Sequence, residues 1–195
     1  DFGDLTQARR LTAAFSDTQR GCWAGGIDPS ANSNVIDFVT ISSFGNATDF
    51  GDLTETKDSP QSGSDSHQGI EALTPRAPEL YSPTGTVVPR GGGVGQLGFY
   101  FAQNGAGGSI RNFIGVVNIG TLGNSQDFGN LTESATLPGA ASSSTRALRG
   151  GGQTPSIVNT IDYWEMASQG NAANFGDLSV ARRSMPGQAG SDSRG

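Results

Sequence analysis

Short apolar runs bounded by turn residues, rather than helical stripes, organise this sequence. Residues 36–41 (Ile36-Asp37-Phe38-Val39-Thr40-Ile41), 114–119 and 161–166 are three such runs, each followed by a Gly-Asn step at Gly45-Asn46, Gly123-Asn124 and Gly170-Asn171. No stretch keeps a 3.6-residue apolar period over ten residues, and runs of this length flanked by Gly, Asn and Asp predict strands. On a strand, Ile36, Ile114 and Ile161 share a face with Phe38, Val116 and Tyr163, while Val39, Val117, Trp164, Ile41, Ile119 and Met166 take the other. A sheet with one wet face alternates apolar with polar residues, so a strand apolar on both faces predicts sheets stacked between sheets.

The runs belong to a larger repeat. Asp1-Phe2-Gly3-Asp4-Leu5-Thr6 returns as Asp49-Phe50-Gly51-Asp52-Leu53-Thr54, as Asp127-Phe128-Gly129-Asn130-Leu131-Thr132 and as Asn174-Phe175-Gly176-Asp177-Leu178-Ser179, at spacings of 48, 78 and 47 residues. A proline-rich insertion at about residues 70–98 accounts for the long spacing. Ala8-Arg9-Arg10 recurs as Ala181-Arg182-Arg183, and Gly25-Gly26 as Gly151-Gly152. Each unit of about 48 residues predicts four short antiparallel strands, in the first copy at residues 12–15, 20–24, 35–41 and 48–53. Gly and Asn supply positive φ at the turns, and Asp caps its own backbone. The chain is therefore expected to be one all-β repeat domain, 1–195, with units 1–48, 49–126, 127–173 and a partial unit 174–195. The recurrent Phe2, Phe50, Phe128 and Phe175 are expected to anchor the fourth strand on a neighbour, each ring contributing roughly 3–4 kcal/mol by burial.

Composition narrows the function classes. Thirty glycines in 195 residues, with Leu, Ile, Val and Phe together only a fifth of the chain, exclude a leucine-rich bundle and an α/β enzyme with a thick core. The net charge is −6, and the eleven Arg and one Lys (Lys57) are scattered, which argues against nucleic-acid binding. A lone cysteine, Cys22, excludes an intrachain disulfide. No apolar run approaches the roughly 18 residues that cross a bilayer, so no membrane insertion is expected. The start at Asp1 predicts a processed chain or a piece of a longer one.

Candidate chemistry is sparse. The single histidine, His67, sits in a Ser-Asp-Ser-His turn whose repeat counterparts are Gln19 and Arg146, and a general base would need an orienting carboxylate and a nucleophile beside it. Cys22, aligned with Tyr100 and Leu148, reads as a packed hydrophobe. Arg90-Gly91-Gly92-Gly93-Val94-Gly95 lacks the Gly-Lys-Ser/Thr of a phosphate loop. Acid pairs at Asp1/Asp4 and Asp49/Asp52 suggest calcium, but Asn130 and Asn174 replace one acid in the other copies, a choice that turn capping explains equally well. Sequons at Asn46 and Asn130 permit glycosylation only where a host has that machinery. No catalytic, cofactor-binding or metal-ligating residue is assigned.

The Gly25-Gly26 doublet, Phe50 about 24 residues on and Arg9 or Arg182 after the hexapeptide resemble a kelch repeat, in which the aromatic is usually Trp. That resemblance implies a β-propeller of four-stranded blades; the second unit carries Gln103-Asn104 in place of the doublet. The hexapeptide with its preceding Gly-Asn and following Ala-Arg is similar to repeats in virion proteins of tailed phages, cyanophages among them. This implies a non-enzymatic structural protein of a tail fibre, virion appendage or other extracellular filament. Its expected partners are copies of itself or other virion proteins. The alternative is a carbohydrate- or receptor-binding module for a cell surface, with the insertion as a docking arm. A closed ring would unite residues 1–5 with 180–195 in a shared last blade; an open stack completed by neighbouring subunits is the alternative.

Overall fold

The computed structural model describes residues 2–58, 60–65, 96–102, 109–143, 145–185 and 188–190. His67, residues 70–95 of the insertion, Arg90 to Gly95 among them, and Gln103-Asn104 lie outside the described residues. Every described element is a strand. The first sheet runs β1 (Ala13–Ser16), β2 (Arg20–Ala24), β3 (Ser33–Thr40) and β4 (Thr48–Lys57) in that spatial order. The middle sheet repeats it with β5 (Gln61–Ser64), β6 (Leu97–Phe101), β7 (Phe113–Asn118) and β8 (Gln126–Asn130). In the third, β9 (Gly139–Ser142), β10 (Arg146–Thr154), β11 (Ser156–Glu165) and β12 (Ala173–Asp177) follow the same order. Leu97 and Gly98, expected at the end of the insertion, are strand residues of β6.

Consecutive strands pair antiparallel throughout the three sheets. The exception is β13 (Gln188–Gly190), which pairs parallel with β9. The tail was expected to supply strands one and two of a further blade; its described residues instead fold back on the third sheet. Gly152 N–H donates to Arg182 O at 2.7 Å and Ser184 N–H to Leu137 O at 2.8 Å. Residues 2–5 lie beside the 44–47 loop of the first sheet, so the two ends share no sheet among the described residues.

The same irregularity recurs where the hexapeptide meets the third strand. Ile36 pairs Gly51 but Asp37 pairs Asp49, leaving Phe50 as an extra residue; Phe128 and Phe175 are skipped in the same way. A β-bulge re-aims a side chain and frees backbone groups from the ladder. Here it sends the Phe ring to the forward face, towards the following sheet, and leaves the Phe carbonyl unused within its own sheet.

Two apolar clusters fill the spaces between the sheets. Phe15, Cys22, Ile36, Phe50 and Leu53 of the first sheet pack on Tyr100, Val117 and Ile119 of the middle one. Phe99, Phe101, Ile114, Phe128 and Leu131 pack on Ala147, Trp164 and Met166 of the third. First strands lie side by side as well: Ser62 Oγ donates to Ala14 O at 2.6 Å and Ser142 Oγ to Ser64 O at 3.1 Å.

Among the described residues, only the middle sheet is covered on both faces. Ile41 is 49% exposed and Val39 half-buried on the rear face of the first sheet, and Phe175 is 59% exposed on the forward face of the third. The expectation that every hexapeptide Phe is an anchor holds for Phe50 and Phe128, at 4% and 6%. Phe175 has no following sheet among the described residues and is exposed, and Phe2 docks on the first sheet without the other strands of a sheet of its own and stays 39% exposed. Register also corrects the position of Cys22. It stands opposite Phe38, as Phe99 stands opposite Val116 and Leu148 opposite Tyr163. Its middle-sheet counterpart is therefore Phe99, and Tyr100 corresponds to Trp23 and Arg149.

Candidate functional site

The hexapeptide is a joint between sheets. Phe50 O accepts from Gly123 N–H at 3.1 Å, Asp52 O accepts from Ser125 N–H at 2.8 Å, and Asp52 N–H donates to Asn124 Oδ1 at 3.0 Å. Phe128 and Asn130 make the same three bonds to Gly170, Ala172 and Asn171, at 3.1, 2.8 and 3.0 Å. Phe2 and Asp4 make them to Gly45, Ala47 and Asn46, at 3.0, 2.8 and 3.0 Å. Each Gly-Asn step is thus the socket for the preceding hexapeptide. The glycine within the hexapeptide is required by the closeness of this approach. A Cβ on Gly3, Gly51 or Gly129 would lie 2.2, 2.6 or 2.1 Å from the socket glycine's carbonyl oxygen. Around Gly176, of the same backbone conformation, nothing lies within 4 Å. The fourth joint has no socket among the described residues.

A buried polar pair accompanies each joint. At the first sheet, Thr6 Oγ1 donates to Asp37 Oδ1 at 2.5 Å, and Arg9 reaches Asp37 Oδ2 at 2.5 Å, both side chains of that ion pair being fully buried. Arg9 also donates to Gly25 O and Val35 O. At the third sheet, Thr132 Oγ1 meets Asp162 Oδ1 at 2.5 Å, but the guanidinium comes from the other direction. Ala135 stands at the position of Arg9, and Arg149 of β10 bonds Asp162 at 2.6 Å, Glu133 at 3.2 Å and Gly151 O at 2.8 Å. At the middle sheet the aspartate is replaced by Gly115, and the Tyr100 ring occupies the space a Cβ there would enter. Its hydroxyl bonds Thr54 Oγ1 at 3.2 Å and Ser125 Oγ at 2.9 Å. A buried charge must be paired and a buried polar group hydrogen-bonded; the first and third sheets pair an ion at this place in the repeat, and the middle sheet satisfies a hydroxyl there instead.

The sequence candidates take structural roles where they are described. Asp49 caps Gly51 N–H at 3.0 Å, and Asp17 caps Gln19 and Arg20. Asp4 and Asp52 serve the joints through their backbone; Asp1 lies outside the described residues. No group of three or more His, Cys, Asp or Glu that could hold a metal occurs among the described residues.

Cys22 is buried, and desolvation, with the Asp17 charge second, pushes its thiol from 9.0 up to about 12. Burial pushes the Tyr100 phenol up as well, against the opposing hydrogen bonds from Ser125 and Thr54. An acid whose folded pKa exceeds its unfolded one gives stability complete below the unfolded pKa and lost as pH rises through the folded one. The denaturant midpoint is therefore expected to fall between pH 9 and about 12. Cys22→Ala should show a shallower fall than the parent; an identical pH slope in the two proteins would contradict the assignment.

Among the described residues no sheet covers the rear face of the first sheet or the forward face of the third, and the two differ in shape. On the rear of the first sheet, Gly21, Trp23, Val39 and Ile41 face Phe2 and Leu5 across a cleft of about 590 Å³. The forward face of the third sheet is the counterpart of the surface that Val117 and Ile119 cover on the first. Arg146 lies 5.1 Å from the Tyr163 ring, and Tyr163 meets Phe175 edge-on at 6.0 Å. The covered first sheet has Arg20 at 5.2 Å from Phe38, and Phe38 edge-on to Phe50 at 5.9 Å. There Arg20 goes on to donate to Ile119 O of the next sheet at 2.7 Å.

Sequence reasoning missed the joint and the buried pairs. The available signal was an Asp in the middle of an otherwise apolar run, at Asp37 and Asp162, together with the hydroxyl closing each hexapeptide. No helix among the described residues is long and apolar enough to cross a membrane. The chain matches no protein-family model and no curated protein.

Proposed function

We propose that this chain is a non-enzymatic structural module, built from kelch-like blades of the β-propeller type, that assembles into a phage tail fibre, virion appendage or other extracellular filament. The observation that carries the reading is the joint, which repeats with the same three hydrogen bonds at three places and offers a fourth copy with no socket among the described residues. A protein whose recurrent residues are spent on joining one sheet to the next uses its repeat for construction. Blade character is supported by the meander order of each sheet and by the first strands β1, β5 and β9 lying side by side, as the inner strands of a propeller do. Its partners are further copies of itself or other virion or filament proteins.

Particle imaging of the purified chain is the test. A regular filament or a closed ring is expected. Isolated single particles at every concentration, retained on cell-surface glycans, would overturn this reading in favour of a receptor-binding module.

A further inference from the structure

We propose that copies of this chain join head to tail, the forward face of the third sheet docking on the rear face of the first sheet of a second copy, with residues 175–182 of one replacing residues 2–9 of the other. The inference rests on the assembly reading above and names its interface. Both internal junctions set a forward face carrying a hexapeptide Phe against a rear face carrying two large hydrophobes, Val117 and Ile119 at one and Trp164 and Met166 at the other. The open forward face has its hexapeptide Phe in Phe175, and the open rear face has its pair in Val39 and Ile41. The surfaces left uncovered among the described residues are therefore the two halves of one more junction.

Residues 2–9 already hold the socket at Gly45-Asn46, but they bring only the fourth-strand segment of a preceding sheet. The cleft of about 590 Å³ behind them lies where a preceding sheet's other strands would pack. Docking of a complete third sheet thus exchanges one hexapeptide for a near-copy and adds the apolar strands. Exchange of like for like is a low-cost route to association.

Charge selects the site. Ala-Arg-Arg follows the hexapeptide only in the two segments that would exchange, at residues 8–10 and 181–183; the internal copies read Thr56-Lys57-Asp58 and Ser134-Ala135-Thr136. Arg9 is the residue that fills the buried site at Asp37. Arg182 stands at the same position after its own hexapeptide and is exposed. The middle sheet has Gly115 where an aspartate would be needed, and Asp162 is already paired with Arg149. Asp37 of a second copy is the acceptor that fits Arg182. Because the two faces differ, the contact is heterologous, and it builds a filament or a ring according to its rotation.

Sedimentation velocity over a concentration series on the full-length chain decides between outcomes. Gly3→Ala places a methyl against Gly45 O and loosens the resident segment, so association should tighten by about tenfold. Gly176→Ala meets nothing in the single copy but would strike the incoming socket, and Arg182→Glu opposes Asp37; each should weaken association by about tenfold or more. Unchanged association in all three variants, with the parent still assembling, overturns this interface and leaves the assembly reading intact. A parent and Gly3→Ala chain that both stay monomeric overturns the two together.

Discussion

Asp162→Asn is expected to lower the thermal midpoint by about 6–20 °C. The carboxylate is fully buried between the middle and third sheets and accepts from Arg149 at 2.6 Å and from Thr132 at 2.5 Å. Removing its charge leaves the buried Arg149 guanidinium with a partly exposed Glu133 at 3.2 Å as its remaining anion. Breaking one side of a buried pair costs about 3–5 kcal/mol. At roughly 2–4 °C per kcal/mol for a chain of this size, that is a shift of about 6–20 °C. The double variant Arg149→Met/Asp162→Leu removes both buried charges together and is expected to lose less than Asp162→Asn, because an apolar pair of similar volume leaves no fully buried ion unpaired, Glu133 being partly exposed to water. Calorimetry or circular dichroism on the three proteins reads this directly. A single-variant loss of under about 1 kcal/mol would place the pair among ordinary surface salt bridges instead. Asp37→Asn should cost less, since Arg9 comes from a segment outside the three sheets that can draw back into water.

Much of the strand layout could be read from the sequence because turn residues punctuate it. The second strand, expected at residues 20–24, lies at Arg20–Ala24, and the third, expected at 35–41, lies at Ser33–Thr40. The apolar pattern on both faces of the third strand correctly signalled stacked sheets, and the middle sheet is stacked in that way. What the pattern could not show is which sheets stand at the ends. Val39 and Ile41 resemble Val117 and Ile119 as a sequence, yet Ile41 is half-exposed, because the burial of a face depends on what lies opposite.

Two other features were hidden for reasons of register. Tyr100 was aligned with Cys22, whereas ladder pairing aligns it with Trp23 and Arg149; with a side-chain period of two, that single-residue slip moves the ring to the opposite face. On its true face Tyr100 is seen to stand in for an aspartate, bonding Thr54 and Ser125 over Gly115. The hexapeptide was read as a strand end with an anchoring ring. Its bulge, and the inter-sheet bonds the bulge frees, involve backbone groups that carry no signature of their own in the sequence. The glycine was the clue, since at Gly3, Gly51 and Gly129 its place answers to a contact with another sheet.

That contact is tested most directly by one substitution made at equivalent places, Gly→Ala at Gly51, Gly129 and Gly176, followed by thermal unfolding at a dilution where the parent is monomeric. The three glycines have nearly the same φ, +147°, +159° and +151°, so the backbone strain of an alanine largely cancels between them. What differs is the socket, whose carbonyl oxygen lies 2.6 and 2.1 Å from the added carbon at Gly51 and Gly129, whereas among the described residues nothing lies within 4 Å at Gly176. Forcing the sheets apart at a joint costs overpacking of about 1–3 kcal/mol and weakens three hydrogen bonds of about 1 kcal/mol each. Gly51→Ala and Gly129→Ala are therefore expected to melt at least about 6 °C below Gly176→Ala. Three equal midpoints would contradict the account, because they would make the glycine a local turn residue and the hexapeptide no joint at all.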